Sequence, residues 1–183
     1  GNKSIFKVYK DNQEFMWEPL AVRSLGSYTT TQNLYKNRYG NKIIFEEINH
    51  DLELIFRYQW SSSNVFGFVK KSKLINTGNE AVKVCLLDGI QNIMPASIGS
   101  DEQNQSSNLV DAYKRNELEE ATGLGIFALS AILVDKAEAS EALRANIVWS
   151  LGLENPKHLL SSLQLNDFRL GKSLEQEVDI KAE

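Results

Sequence analysis

The chain has 183 residues, of which 42% are hydrophobic and 24% are charged, and these values are typical of a single globular domain. Its net charge of −4 argues against a nucleic-acid partner. The densest basic group, Lys70, Lys71 and Lys73, is expected to be a solvated strand face. The sequence holds no apolar run of about 18 residues, so we expect no membrane-spanning helix.

The first half of the chain reads as a series of strands. Apolar and alternating runs predict strands at residues 4–9, 42–48, 52–60, 65–75 and 81–87. Residues 26–42 are rich in Gly, Ser, Thr, Asn and Tyr, so we expect a loop there with one short strand near residues 28–31.

The strand at residues 52–60 decides the predicted fold class. Four large side chains alternate with polar ones along it and share one face: Leu54, Phe56, Tyr58 and Trp60. Short polar turns follow this strand and the next, so residues 52–87 predict a three-stranded antiparallel meander with one apolar face. One sheet cannot bury that face alone. We therefore expect a mainly β protein built as an antiparallel β-sandwich, with a second layer over the rings.

The second half of the chain predicts one short helix. A polar loop at residues 99–107 leads into it, and Ser or Asn side chains at its start are good N-caps. Thr122 and Gly123 end the segment, so we expect the helix near residues 108–120. Within it, Asp111 stands four residues before Arg115, the spacing of a surface ion pair on a helix.

The remaining segments complete a single predicted domain. We expect strands at residues 124–134 and 142–151, a charged turn or helical turn at residues 135–141, and a helical turn at residues 157–163. The β-sandwich domain would then cover residues 1–171, and residues 172–183 would form a terminal strand or tail.

Aromatic residues are the first candidates for a binding site. The C–H faces of sugar rings pack against flat aromatic rings, and Tyr58 and Trp60 could supply such a platform. The alternative is that these rings belong to the core, and Trp60 is the better candidate because it ends its strand beside a Ser-rich turn. The loop tyrosines are weaker candidates of the same kind: Tyr28, Tyr35 and Tyr39.

Polar residues provide the other candidates. We add Asp111, Tyr113 and Arg115, from the predicted helix, to the candidate carbohydrate-binding residues. Glu46 and Glu47 are adjacent on a strand, so they face opposite ways and cannot act on one substrate together. Two histidines and one cysteine match no metal-ligand spacing, and we predict no catalytic residue, metal or cofactor.

Two segments carry a resemblance to a known family. Residues 66–80 read FGFVKKSKLINTGNE and are followed by VKVCLLDG at residues 82–89, and residues 107–118 read SNLVDAYKRNEL. These runs resemble the N-terminal β-super-sandwich of cellobiose-phosphorylase-like proteins, over most of residues 43–165. That family comprises inverting glycoside phosphorylases and hydrolases. Their catalytic centre lies in a separate (α/α)6 barrel, which the resemblance places beyond residue 183.

The resemblance implies a supporting function. The chain would be a non-catalytic β-sandwich domain of a carbohydrate-active enzyme, packing on the absent barrel and shaping its substrate cleft. The chain is shorter than the family's usual super-sandwich. One alternative is an autonomous carbohydrate-binding or protein-interaction module. Another is an enzyme in its own right that acts through Asp88 or Asp111.

The expected partners follow from these readings. They are an oligosaccharide, the (α/α)6 barrel of the parent chain and a second copy in a homodimer, with neither nucleic acid nor membrane. The chain begins with Gly1 rather than Met, so a targeting segment could have been removed. We expect a periplasmic or extracellular location rather than a cytoplasmic one.

Overall fold

The computed structural model describes residues 1–133 and 142–182. Strands account for 44% of these described residues and helices for 12%, which confirms the mainly β, antiparallel prediction. The contacts divide the chain into two compact units: a sandwich unit, residues 2–89, and a C-terminal unit, residue 1 with residues 90–182. The prediction of one domain over residues 1–171 stays a prediction. No helix in the described residues is long and apolar enough to cross a membrane.

The sandwich unit consists of two sheets. Its strands are β1 (Asn2–Lys10), β2 (Gln13–Trp17), β3 (Thr30–Lys36), β4 (Lys42–Asn49), β5 (Leu54–Ser63), β6 (Gly67–Asn76) and β7 (Lys83–Ile90). One sheet has three strands in the order β2-β1-β7, and the other has four in the order β3-β4-β5-β6. The four strands of the larger sheet pair in antiparallel fashion throughout.

Aromatic side chains from both sheets meet in one core. Phe6 and Trp17 come from the three-stranded sheet, and Phe56 comes from β5 in the four-stranded sheet. The rings of Phe6 and Phe56 are 5.0 Å apart in an edge-to-face contact, the geometry that aromatic pairs prefer. The rings on β5 are therefore covered by a second layer, which confirms a sandwich arrangement in this unit.

A buried carboxylate joins the two layers beside this core. Glu47 is 3% exposed and lies on the inner face of β4. It accepts hydrogen bonds from Trp17 Nε1 at 2.7 Å and from the backbone N–H of Leu20 at 2.8 Å. Gln32 Nε2 donates to the same carboxylate at 2.8 Å. These donors satisfy a charge that would otherwise be costly to bury.

The predicted meander of three neighbouring strands is wrong in its last member. β5 and β6 pair as expected, but β7 leaves their sheet and hydrogen-bonds to β1 in the opposite one. From there the side chains of Val84 and Leu86 pack against the core. The alternation of apolar and polar residues in β7 is compatible with either sheet, because each sheet needs one apolar face towards the core.

The segment at residues 26–42, predicted as a loop with one short strand near residues 28–31, also differs. β3 occupies residues 30–36 and pairs along its whole length with β4, from Thr30 opposite Asn49 to Lys36 opposite Ile43. Its residues have few apolar partners, because it is an edge strand whose side chains are mostly exposed. Backbone hydrogen bonds to β4 hold β3 in place, and amino-acid composition does not predict such pairing.

The C-terminal unit carries the third sheet. Its elements are α1 (Ser100–Gln105), α2 (Ser107–Tyr113), β8 (Lys114–Glu119), β9 (Leu124–Leu129), β10 (Ala145–Val148), α3 (Leu165–Arg169) and β11 (Asp179–Lys181). The sheet order is β10-β9-β8-β11, with antiparallel pairing between neighbours. Val110, Leu118 and Phe127 are buried in this unit.

The short helix predicted near residues 108–120 is present but ends early. α2 stops at Tyr113, and residues 114–119 form β8 because they pair with β9 across a tight turn at Gly123. Two further local predictions are corrected. The polar loop at residues 99–107 contains α1, whose Glu102 carboxylate accepts the backbone N–H of Gly99. The helical turn at residues 157–163 is not formed, and the nearby helix is α3. The predicted turn at residues 135–141 lies outside the described residues.

Candidate functional site

The two aromatic residues that the sequence favoured lie on the inner face of β5. Tyr58 is 9% exposed and its ring stacks on Phe45 with centroids 4.8 Å apart. Trp60 is half-buried and packs against the same core. Most of the surface of these two rings is in contact with other protein side chains. A carbohydrate-binding role for Tyr58 and Trp60 therefore stays a prediction.

The three candidates from the helix region belong to the C-terminal unit. Asp111 pairs with Lys114 at 2.6 Å, whereas Arg115 pairs with Asp179 at 3.1 Å. The expected helical pair between Asp111 and Arg115 is therefore wrong, because the helix ends at Tyr113 between them. Tyr113 is 36% exposed. Their part in carbohydrate binding stays a prediction.

Asp88, the other carboxylate proposed for an enzyme, forms an ion pair between the two layers of the sandwich unit. Lys70 Nζ donates to it at 2.7 Å, and the Ser4 hydroxyl donates to the same oxygen. The Lys70 side chain is 5% exposed, so this lysine is not part of a solvated face as the sequence suggested. Burial lowers the pKa of Lys70, and the neighbouring Asp88 opposes that change. The arrangement is that of a structural contact.

A groove of about 330 Å³ lies on the outer face of the four-stranded sheet, the face turned away from the core. We call it the outer-face groove, and it is lined by Tyr35 of β3, Ile44 of β4 and Arg57 of β5. Arg57 lies between Phe56 and Tyr58, which point into the core, so it must point outwards. Directly opposite residues on neighbouring strands share a face, which places Tyr35 beside Ile44.

Glu46 anchors two of the residues that line the outer-face groove, Tyr35 and Arg57. It lies directly opposite both Asn33 and Arg57 in the strand register, and it is 1% exposed. Its Oε1 accepts Asn33 Nδ2 at 2.9 Å and the Tyr35 hydroxyl at 3.0 Å. Its Oε2 accepts Arg57 Nε in a short charge-assisted contact. One carboxylate therefore orients all three polar side chains around it.

The electrostatics of this cluster keep Glu46 ionised. Burial by itself raises the pKa of Glu46, but hydrogen bonds from Asn33, Arg57 and Tyr35 outweigh it, and the net effect is a lowered pKa. The pKa of Tyr35 is raised, chiefly because its hydroxyl donates to the Glu46 carboxylate. At neutral pH this cluster thus holds an ionised carboxylate and a protonated phenol beside the Arg57 guanidinium.

The described residues that line the groove are suited to contact a ligand, and none of them is a carboxylate that could act as a general acid or base. The Tyr35 side chain is 48% exposed and the Arg57 side chain 43% exposed. Arg57 uses Nε on Glu46, and its two Nη groups make no hydrogen bond to any residue that the structure describes. The described lining residues offer an aromatic ring, an aliphatic side chain and a guanidinium edge to a ligand.

The sequence contained part of this site. Tyr35 appeared among the weaker loop tyrosines, and the opposite orientation of Glu46 and Glu47 is confirmed, since Glu46 bonds Arg57 outside and Glu47 bonds Trp17 inside. Arg57 was not among the residues that the sequence predicted for a site. One signal could have identified Arg57. It lies on the polar face of β5, and the neighbouring strand β4 carries one glutamate, Glu46, on that same face.

Comparison of the sequence with protein-family models and with curated proteins finds no match. The resemblance of residues 66–89 to the super-sandwich of glycoside phosphorylases stays a prediction.

Among residues 1–133 and 142–182, no three His, Cys, Asp or Glu side chains gather in a way that would hold a metal ion. The outer-face groove brings an exposed aromatic ring and a guanidinium together and is the candidate functional site.

Proposed function

We propose that this protein is a non-catalytic β-sandwich module that binds carbohydrate in the outer-face groove. The observation that carries the proposal is the half-exposed ring of Tyr35, held beside the Arg57 guanidinium by their shared bonds to Glu46. Sugar rings have C–H faces that pack on aromatic rings. Their hydroxyl oxygens accept charge-assisted hydrogen bonds from a planar guanidinium. Rigid aromatic and polar groups fixed in place before binding cost little entropy to engage.

The same geometry favours binding over hydrolysis. Glycosidases use two carboxyl groups about 5 to 10 Å apart, one of them with a raised pKa so that it can donate a proton. Here the carboxylate of the cluster, Glu46, accepts hydrogen bonds from Asn33, Tyr35 and Arg57 and has a lowered pKa, so it is a poor general acid. Its oxygens are also covered, since the residue is 1% exposed.

The proposal includes a context for such a module. Residues 66–89 and 107–118 resemble a domain that accompanies a catalytic barrel in carbohydrate-active enzymes. In that setting a sugar-binding sandwich would hold substrate near the barrel and contribute no reacting group. The resemblance supports this context, and the groove supports the binding function on its own.

Titration of the whole chain with gluco-oligosaccharides, by calorimetry and by NMR, tests the binding function. We expect weak binding, in the millimolar to high micromolar range, that is lost in Tyr35→Ala. Tyr35→Phe keeps the ring and removes only the hydroxyl that donates to Glu46. It should therefore retain most of the binding if stacking carries it.

Tyr39→Ala is the matched control, because Tyr39 is also a tyrosine, is 86% exposed and does not line the groove. Its affinity should equal that of the unmodified chain. Absence of binding by any saccharide at millimolar concentration would overturn the proposal. So would equal losses in Tyr35→Ala and Tyr39→Ala, since they would place the contact elsewhere.

A further inference from the structure

The outer face that carries the groove is cationic, although the chain as a whole is acidic. The strand register places four cationic side chains on this face and a single carboxylate, Glu46. The cations are Lys42, Arg57, Lys71 and Lys73. The net charge of the chain is −4, so this concentration of positive charge is local to the face.

Two of these lysines extend the positive charge next to the groove. Lys73 lies directly opposite Arg57 on β6, and Lys71 lies directly opposite Gln59, so both share the face of Arg57. Both side chains are exposed, and neither makes an ion pair with any residue in the described part of the chain. Lys70, between them, points to the other face and pairs with Asp88. The alternation of β6 thus sends one lysine inward and two towards the groove.

Arg57 is the cation that faces a ligand directly. Its Nε is committed to Glu46, but the edge formed by its two Nη groups remains open and partly in solvent. That edge is the fork that binds a carboxylate through two parallel hydrogen bonds. Because Lys73 stands beside it, the single negative charge of Glu46 does not neutralise the face.

We propose that the ligand of the outer-face groove is an acidic saccharide, one that carries a carboxylate on a sugar ring. This rests on the proposed carbohydrate-binding function and names its ligand class. The Tyr35 hydroxyl and Arg57 Nε meet on one carboxylate, so the ring and the guanidinium edge are side by side. A uronate sugar spans such a pair, since its pyranose ring packs on Tyr35 while the attached carboxylate reaches the Nη edge.

The test compares an acidic saccharide with its neutral methyl ester and with a neutral glucan. Tetragalacturonate, its methyl ester and cellotetraose are titrated into the whole chain at low and at physiological salt. We expect tetragalacturonate to bind about tenfold more tightly than its neutral ester at low salt, and the difference to shrink as salt screens exposed charges. Equal binding of acid and ester would overturn the acidic-ligand inference while leaving carbohydrate binding intact. Failure of all three saccharides would overturn both.

Variants locate the charge. Lys73→Gln removes an exposed cation next to Arg57 and should weaken tetragalacturonate binding about two- to fivefold without changing the affinity for the ester. Lys36→Gln is the matched control, since it removes the same charge from β3 on the opposite face of the sheet. Equal effects of the two variants would overturn the inference. So would competition by inorganic sulfate or by a single-stranded DNA oligomer at the same concentration as the tetragalacturonate, because either result would indicate a general anion surface.

Discussion

The Glu46–Arg57 pair should respond asymmetrically to the removal of its two partners. Glu46 is 1% exposed, whereas the Arg57 side chain is 43% exposed. Arg57→Met keeps most of the aliphatic stem but leaves a buried carboxylate without its cation. Glu46→Gln leaves the guanidinium partly in water, where solvent replaces the lost partner. We therefore expect Arg57→Met to destabilise the protein more than Glu46→Gln does.

The magnitudes follow from the contacts on each side. Removing one partner of a fully buried pair costs about 3 to 5 kcal/mol. Asn33 and Tyr35 still donate to Glu46, and Arg57 is partly in solvent, so we expect about 2 to 3 kcal/mol for Arg57→Met. Glu46→Gln keeps one acceptor oxygen and should cost about 1 kcal/mol. The double variant has no buried charge at this position and should be more stable than Arg57→Met alone.

Urea unfolding followed by tryptophan fluorescence, with the free energy taken from the midpoint and slope, measures these differences. The three variants and the unmodified chain form a double-mutant cycle, which reports the coupling within the pair. Arg38→Met, which removes a cation from an exposed turn, should change stability by no more than about 0.5 kcal/mol. Equal costs for Arg57→Met and Glu46→Gln, or an additive double variant, would show that Glu46 is not the buried partner.

Three further outcomes can be measured on the same preparations. Because the folded-state pKa of Glu46 lies below its ordinary value of 4.5, its ionised form adds stability that is fully present above that value and lost as pH falls through the lower folded-state pKa. The stability gap between the unmodified chain and Glu46→Gln should therefore close in acid, and a gap that widened in acid would contradict this sign. Trp17→Phe removes a buried donor to Glu47 and should cost about 2 to 3 kcal/mol in urea unfolding, and a neutral result would mean that water replaces the indole. Phe6→Ala, in the core, should cost about 3 to 5 kcal/mol, whereas Phe68→Ala, at 83% exposure, should cost under about 0.5 kcal/mol, and similar thermal shifts for the two would argue against the core described above.

The candidate site shows what residue patterns cannot convey. Local alternation correctly separated Glu46 from Glu47, because neighbouring residues of a strand always face opposite ways. It could not bring Tyr35, Glu46 and Arg57 together, since they stand on three strands whose pairing depends on register. Trp60 was favoured for exposure by its position at a strand end. The observed β5 continues to Ser63, so Trp60 falls within the strand and against the core.

The same division holds for the secondary structure. Strong alternation predicted β4, β5 and β6 within a few residues of their observed bounds. The segment at residues 114–119 has a sequence compatible with a helix, yet it forms β8 because β9 offers it a full antiparallel partner. For β3 the sequence predicted only a short strand near residues 28–31, and pairing with β4 produces a strand from Thr30 to Lys36. Weak local preferences yielded in both places to hydrogen bonds with residues distant in the chain.

The amino-acid sequence by itself determined that the chain is mainly β and which face of each long strand is apolar, because side chains alternate strictly along an extended backbone. Only the tertiary structure decided that β7 joins the sheet opposite β6, and that Lys70 turns inward while Lys71 and Lys73 turn outward beside Arg57. The physical reason is that burial of one apolar face can be achieved by several pairings of the same strands. Which pairing is adopted depends on the packing of Phe6, Trp17 and Phe56 across the two layers, and such packing has no local signature.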